Sequence, residues 1–216
     1  ALPVLSAMGV QVSCLPTAVL STHTGGFTGY TFRDLTEDIR PFYEHWLREG
    51  LCFDALYTGY LGSEAQIDIV GDFLSAFQSS RTLTLVDPVM GDHGRLYSRF
   101  TPRMAEGIGR LCARADVIVP NLTEAALLSG MPYPAKTLRE ADYAQMCERL
   151  LALGAKRVVI TGAALSPEEM GFACHDGARL RLYLPERIDA AYDGTGDLFA
   201  SVLLGALLHG RELYAA

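Results

Sequence analysis

The sequence has no C-x-x-C pair. Its five cysteines (Cys14, Cys52, Cys112, Cys147 and Cys174) are odd in number and widely spaced. That argues against a disulfide framework or a structural zinc site, and for reduced, mostly buried thiols in a cytoplasmic protein. No apolar run approaches the ~18 residues of a membrane span. The richest, Leu198 to Leu208, reads as a buried helix. No signal-peptide pattern is visible, and the first residue is not Met, so a missing or processed start is expected. There is no basic block either: 18 Lys and Arg stand against 25 Asp and Glu, a net charge of −7. Nucleic-acid backbones need clustered cations, so nucleic acid is not an expected partner, and neither is a membrane. A free nucleotide is still allowed, because backbone N–H groups and a metal can hold phosphates. P-loop, dinucleotide-binding and nucleophile-elbow glycine motifs are all absent. With no internal repeat, low-complexity tract or linker, the 216 residues are expected to form one domain over 1–216.

What is present is an alternation of short β-branched runs and longer helical patterns. Strands are expected at Val10–Leu15, Ala55–Tyr57, Thr82–Val86, Val117–Val119 and Arg157–Thr161. Helices are expected at Ala1–Met8, Phe32–Glu49, Ser63–Phe77, Thr101–Cys112, Thr123–Ser129, Glu140–Leu153 and Asp197–Leu208. Phe42, Trp46 and Ile39 should share the buried face of the second of these. Gly171–His175 and Arg179–Leu184 flank Asp176-Gly177, a strong hairpin turn. The fold class is therefore α/β, with a mostly parallel central sheet, helices on both faces and a late β-hairpin. The opening helix has no strand before it, so the sheet is expected to lack its first strand.

Ligands of open parallel sheets bind beyond the carboxyl ends of the strands. The residues that follow the expected strands include His23 and Thr24, Tyr60, Asp87 and Asp92, Asn121 and Glu124, and Thr161. Gly194, Thr195, Gly196 and Asp197 open the last helix, whose first N–H groups and dipole would favour an anion. Each has a plainer alternative. Asp197 is either an N-cap or a base. Asp87 and Asp92 either form a turn or hold Mg²⁺ directly or through water. Asn121 and Glu124 either join the site or merely mark a helix start, with Thr123 as its cap and Glu124 in the first turn. Tyr60 either stacks on a flat ring or packs. His23 is a lone histidine in a Thr/Gly loop.

Taken together these pieces resemble a known family. Gly194-Thr195-Gly196-Asp197-Leu198-Phe199-Ala200-Ser201 is similar to the signature of ribokinase-like kinases. Val86-Asp87-Pro88-Val89-Met90-Gly91-Asp92-His93-Gly94, Pro120-Asn121-Leu122-Thr123-Glu124-Ala125 and Leu20-Ser21-Thr22-His23-Thr24-Gly25-Gly26-Phe27 resemble the pyridoxal kinases among them. The resemblance implies ATP-dependent phosphorylation of the 5′-hydroxymethyl group of pyridoxal, and of pyridoxine or pyridoxamine. It implies Asp197 as base, with Gly194, Thr195 and Gly196 as anion hole. His23, Thr24 and Tyr60 would meet the pyridoxal. Asp87, Asp92, Asn121, Glu124 and Thr161 would serve ATP, and Asp87 and Glu124 the Mg²⁺. It further implies a monovalent cation such as K⁺ and a homodimer. Against the family pattern, the first strand with its serine loop and the final helices lack a counterpart. Hydroxymethylpyrimidine kinase is the competing reading, because its acceptor is also a flat ring with a hydroxymethyl group. A non-catalytic pyridoxal phosphate- or ATP-binding protein is the other.

Overall fold

Period-two burial sets the sheet. In the computed structural model, which describes residues 1–22, 27–190 and 192–216, four strands run parallel. They are β3 (Ala55–Thr58), β4 (Leu83–Val86), β7 (Val117–Ile118) and β8 (Val158–Ala163). The antiparallel hairpin β9 (Gly171–His175) and β10 (Leu180–Tyr183) extends them, giving the order β10-β9-β8-β7-β4-β3. The hairpin turn forms as its sequence dictates. Gly177 takes a left-handed φ of +98°, and the Asp176 carboxylate accepts the N–H groups of Ala178 and Arg179.

Alternate strand residues feed two cores. Leu56, Val86, Ile118 and Ile160 point to one; Leu85, Val117, Val159 and Cys174 point to the other. The first core is covered by α2 (Thr36–Arg48), α3 (Glu64–Phe77), α4 (Pro102–Cys112), α5 (Leu122–Ser129) and α6 (Glu140–Ala152). The second is covered by α1 (Leu2–Ala7) and α7 (Thr195–Leu208). The expected α/β architecture, mostly parallel with helices on both faces, is thus observed. No described helix is long and apolar enough to cross a membrane.

Several helix starts follow the sequence closely. Ser63 caps α3 by accepting the Gln66 N–H, and Thr101 caps α4 by accepting the Met104 N–H, with Pro102 at the first position.

Four expectations need correction. Val10–Leu15 is not a strand. Val10 and Val12 pack on the α1/α7 core and Leu15 on the other, so the segment buries side chains without pairing its backbone. The strand here is β1 (Ala18–Leu20), paired with β2 (Phe32–Asp34) in a separate antiparallel ribbon. On α2 the buried residues are Ile39 and Tyr43, while Phe42 is exposed, because residues four apart share a face more closely than residues three apart. Finally, neither Thr123 nor Asp197 is an N-cap. Asn121 caps α5 and Gly194 caps α7.

Candidate active site

The carboxyl ends of the parallel strands carry the candidate residues, and two of the groups are built very differently. The first is the loop after β4. Asn121 and Glu124 form a reciprocal capping box on α5: the Asn121 side chain accepts the Glu124 N–H at 3.0 Å, and Glu124 accepts the Asn121 N–H at 2.8 Å. The same two side chains reach across to the loop. Glu124 accepts the Met90 N–H at 3.1 Å, and the Asn121 amide donates to the Gly91 carbonyl at 2.8 Å. Thr123 accepts the Gly94 N–H at 2.9 Å in the turn between β5 (Gly91–Asp92) and β6 (Arg95–Leu96). The strand-end loop is thereby clipped to the start of α5.

This clip places Glu124 beside Asp87. Both are buried, at 3% and 8% exposure. Burial pushes Asp87 well above the usual carboxylate range, and the negative charges of Glu124 and Asp197 add to it. Burial likewise raises Glu124 to about 7, opposed by the N–H groups of Asn121, Met90 and Gly91. No hydrogen bond reaches the Asp87 carboxylate from the described residues, and no described cluster of three or more His, Cys, Asp or Glu forms a metal cage. Mg²⁺ uses one or two carboxylates and keeps several waters, so a buried, mutually repelling pair with a free oxygen face fits it. Asp92 is exposed, and its carboxylate accepts the His93 N–H at 2.7 Å. Thr161, within β8, lies next to Asn121, which follows β7, and its N–H donates to the Pro120 carbonyl at 2.9 Å. A bulge between Thr161 and Ala163 follows, with Gly162 at φ +72°.

The second group is the start of α7. Gly194 is its N-cap at φ +81°, where a β-carbon would meet nothing, so the demand for glycine is one of backbone conformation rather than space. Thr195, Gly196 and Asp197 are the first three helical residues, and all are exposed. The first N–H groups of a helix have no partner within it, so those of this turn are available to an anion. Asp197 adds its charge to both Asp87 and Tyr57, which places it with the clipped loop in one electrostatic neighbourhood.

Tyr60 follows β3 and is half-buried, its ring edge-on to Phe100 at 5.9 Å. His23 and Thr24 lie outside the described residues. Two tyrosines at this edge were given no site role from the sequence, although Leu96-Tyr97 follows the stretch that resembles the pyridoxal kinases. Tyr97 is pushed up to about 12, first by burial and then by Glu124, Asp92 and Asp87. Tyr57 has a buried hydroxyl without a hydrogen-bond partner, and its pKa is raised by burial and by Asp87 and Asp197. The available signal was a phenol one residue before the strand end at Thr58-Gly59.

Comparison with known proteins finds the same fold in proteins of one family. The family model described as phosphomethylpyrimidine kinase matches residues 2–216. A crystal structure from Bacteroides thetaiotaomicron VPI-5482, provisionally named a phosphomethylpyrimidine kinase and obtained with pyridoxal, superposes with a TM-score of 0.88. It is 40% identical, over 98% of this chain and 75% of that one. The pyridoxal kinase of Lactobacillus plantarum gives a TM-score of 0.88 at 38% identity, with the same coverage. The pyridoxine/pyridoxal/pyridoxamine kinase of Bordetella avium (strain 197N) is 32% identical over 232 residues, all of this chain and 74% of that protein.

Proposed function

Because this chain belongs to the phosphomethylpyrimidine kinase family, we propose that it transfers the γ-phosphoryl group of ATP to the 5′-hydroxymethyl oxygen of pyridoxal. The observation that carries this reading is the meeting of the α7 start with the buried Asp87–Glu124 pair at one sheet edge. Relatives that are named pyridoxal kinases, and a related structure obtained with pyridoxal, support the acceptor.

The chemistry follows from the two groups. Asp197 accepts the proton of the hydroxymethyl group as its oxygen bonds to the γ-phosphorus and the bond to the ADP oxygen breaks. A carboxylate is far too weak a base to make a free alkoxide. It can accept a proton released late in a loose transition state. The N–H groups of Thr195, Gly196 and Asp197 face the charge gathering on the transferring phosphoryl oxygens. Asp87 and Glu124 would hold Mg²⁺, which supplies charge neutralisation on the phosphates. Asp92, Asn121 and Thr161 serve the nucleotide side, and His23, Thr24 and Tyr60 serve the pyridine ring. A monovalent cation such as K⁺, a homodimer and a cytoplasmic setting complete the proposal by family resemblance.

Hydroxymethylpyrimidine remains the comparison acceptor, since the α7 start would serve either hydroxymethyl ring. The test is ADP release with Mg-ATP and pyridoxal, alongside hydroxymethylpyrimidine and a blank without acceptor. Faster turnover on pyridoxal is expected, and preference for the pyrimidine would overturn the acceptor assignment. Asp197→Ala should lower turnover about 10²–10⁴-fold while leaving ATP affinity within about threefold, because the group acts in the transition state. A large loss of ATP binding would contradict that role.

A further inference from the structure

At the site edge, one buried polar atom has no role in the chemistry above. The Tyr57 hydroxyl is enclosed by the fold and makes no hydrogen bond in the described structure. The alternation of β3 turns Ala55 and Tyr57 toward the α1/α7 core and leaves Leu56 and Thr58 on the other side. The ring is thus anchored on a sheet strand, while its tip lies near the start of α7. Asp197 is its polar neighbour there, near enough for their electrostatics to be coupled although the pair is not in full hydrogen-bonding geometry.

We propose that Tyr57 is a positioning residue for the phosphoryl transfer: its hydroxyl donates to one oxygen of the Asp197 carboxylate in the substrate-loaded enzyme, leaving the other oxygen to face the acceptor hydroxyl.

Three observations on the molecule support it. A buried hydroxyl without a partner costs stability, whereas phenylalanine would fill the same space without that cost. A packing role alone therefore does not account for the oxygen. Asp197 is exposed on the first turn of α7, so a fixed contact is needed to hold its rotamer, and the Tyr57 hydroxyl is a buried donor beside it. The Asp87 carboxylate, the other charged group near the hydroxyl, belongs to the cation side, which leaves the phenol proton for Asp197. No proton leaves Tyr57: it remains a donor throughout, and the acceptor's proton ends on the Asp197 oxygen that Tyr57 does not hold.

The inference rests on the kinase reading, and the test separates the two. Wild type and Tyr57→Phe are compared for kcat, for KM of pyridoxal and of Mg-ATP, and for Tm. The expected result is a kcat lowered about 10–100-fold, both KM values within about threefold, and a Tm equal to or above that of wild type. An active wild type with an equally fast Y57F, or a Y57F whose loss lies only in KM or follows a lowered Tm, overturns the inference alone. A wild type silent on pyridoxal overturns the kinase reading and the inference with it.

Discussion

The loop after β4 and the start of α7 face the same site but are held in opposite ways. In the loop, Asn121, Thr123 and Glu124 engage Met90, Gly91 and Gly94 through hydrogen bonds of 2.8 to 3.1 Å. At α7 the helix opens on a left-handed glycine with no side-chain cap, and its first residues are exposed. On the proposed reading the difference separates two tasks. Two buried carboxylates repel each other and need a scaffold to keep them together, which the capping box supplies on the proposed cation side. The anion side needs bare N–H groups, and a side-chain cap would occupy one of them.

The contrast can be broken most strongly on the cation side. Asp87→Asn should lower kcat about 10³-fold, since one charge on the cation is lost. It should also raise the Tm of the ligand-free protein, because a carboxyl whose ionised form is opposed by burial and by Glu124 and Asp197 is replaced by a neutral amide. Opposite signs in activity and stability are the signature, read by steady-state kinetics and thermal denaturation. A parallel loss of both would make Asp87 a structural residue.

Gly194→Val tests the other side. A β-branched residue at φ +81° is a backbone outlier, so the first turn of α7 must re-form. Turnover should fall about 10²-fold through misaimed N–H groups, with a stability cost of about 1–2 kcal/mol. Equal kinetics would mean that the α7 start does not face the transferring group.

Asn121→Ala removes the cap of α5 and the tie to Gly91 together. A loss of about 1–2 kcal/mol is expected, a Tm lower by about 2–8 °C. Mg-ATP binding should weaken along with it, because the loop that carries Asp87 is released. An unchanged Tm would show that the loop holds itself.

The last effect is a pH dependence, which touches ligand-free stability and not turnover. The folded protein raises Glu124 from the ordinary 4.5 to about 7, so the fold favours its neutral form. The Glu124 contribution to ligand-free stability is then fully present below pH 4.5 and is lost as pH rises through about 7, by a few kcal/mol at most. Glu124→Gln should flatten that stretch of the stability–pH curve, and Mg²⁺ should stabilise wild type more at pH 8 than at pH 6. A curve that rises over the same window would contradict the burial argument.

Much of this frame was legible in the sequence. Ser63, Thr101-Pro102 and Asp176-Gly177 act within a few residues of themselves, so local chemistry decides them. The strand-end motifs were legible too, because a parallel sheet gathers its carboxyl ends. The β1–β2 ribbon was not: its strands have three residues each, half exposed, with no alternation to read. Asn121 rather than Thr123 is the cap because Thr123 is drawn to Gly94, a contact 29 residues away. The neighbourhood of Tyr57, Asp87 and Asp197 is likewise a product of tertiary packing, joining residues from three distant segments.

The most direct measurement is formation of pyridoxal 5′-phosphate from pyridoxal and saturating Mg-ATP by wild type and by Asp197→Asn, with Mg-ATP affinity measured on both. The account predicts phosphorylated product from wild type, none above the blank from D197N, and affinities within about threefold of each other. A D197N protein that forms product at the wild-type rate, or a wild type that forms none, would contradict it.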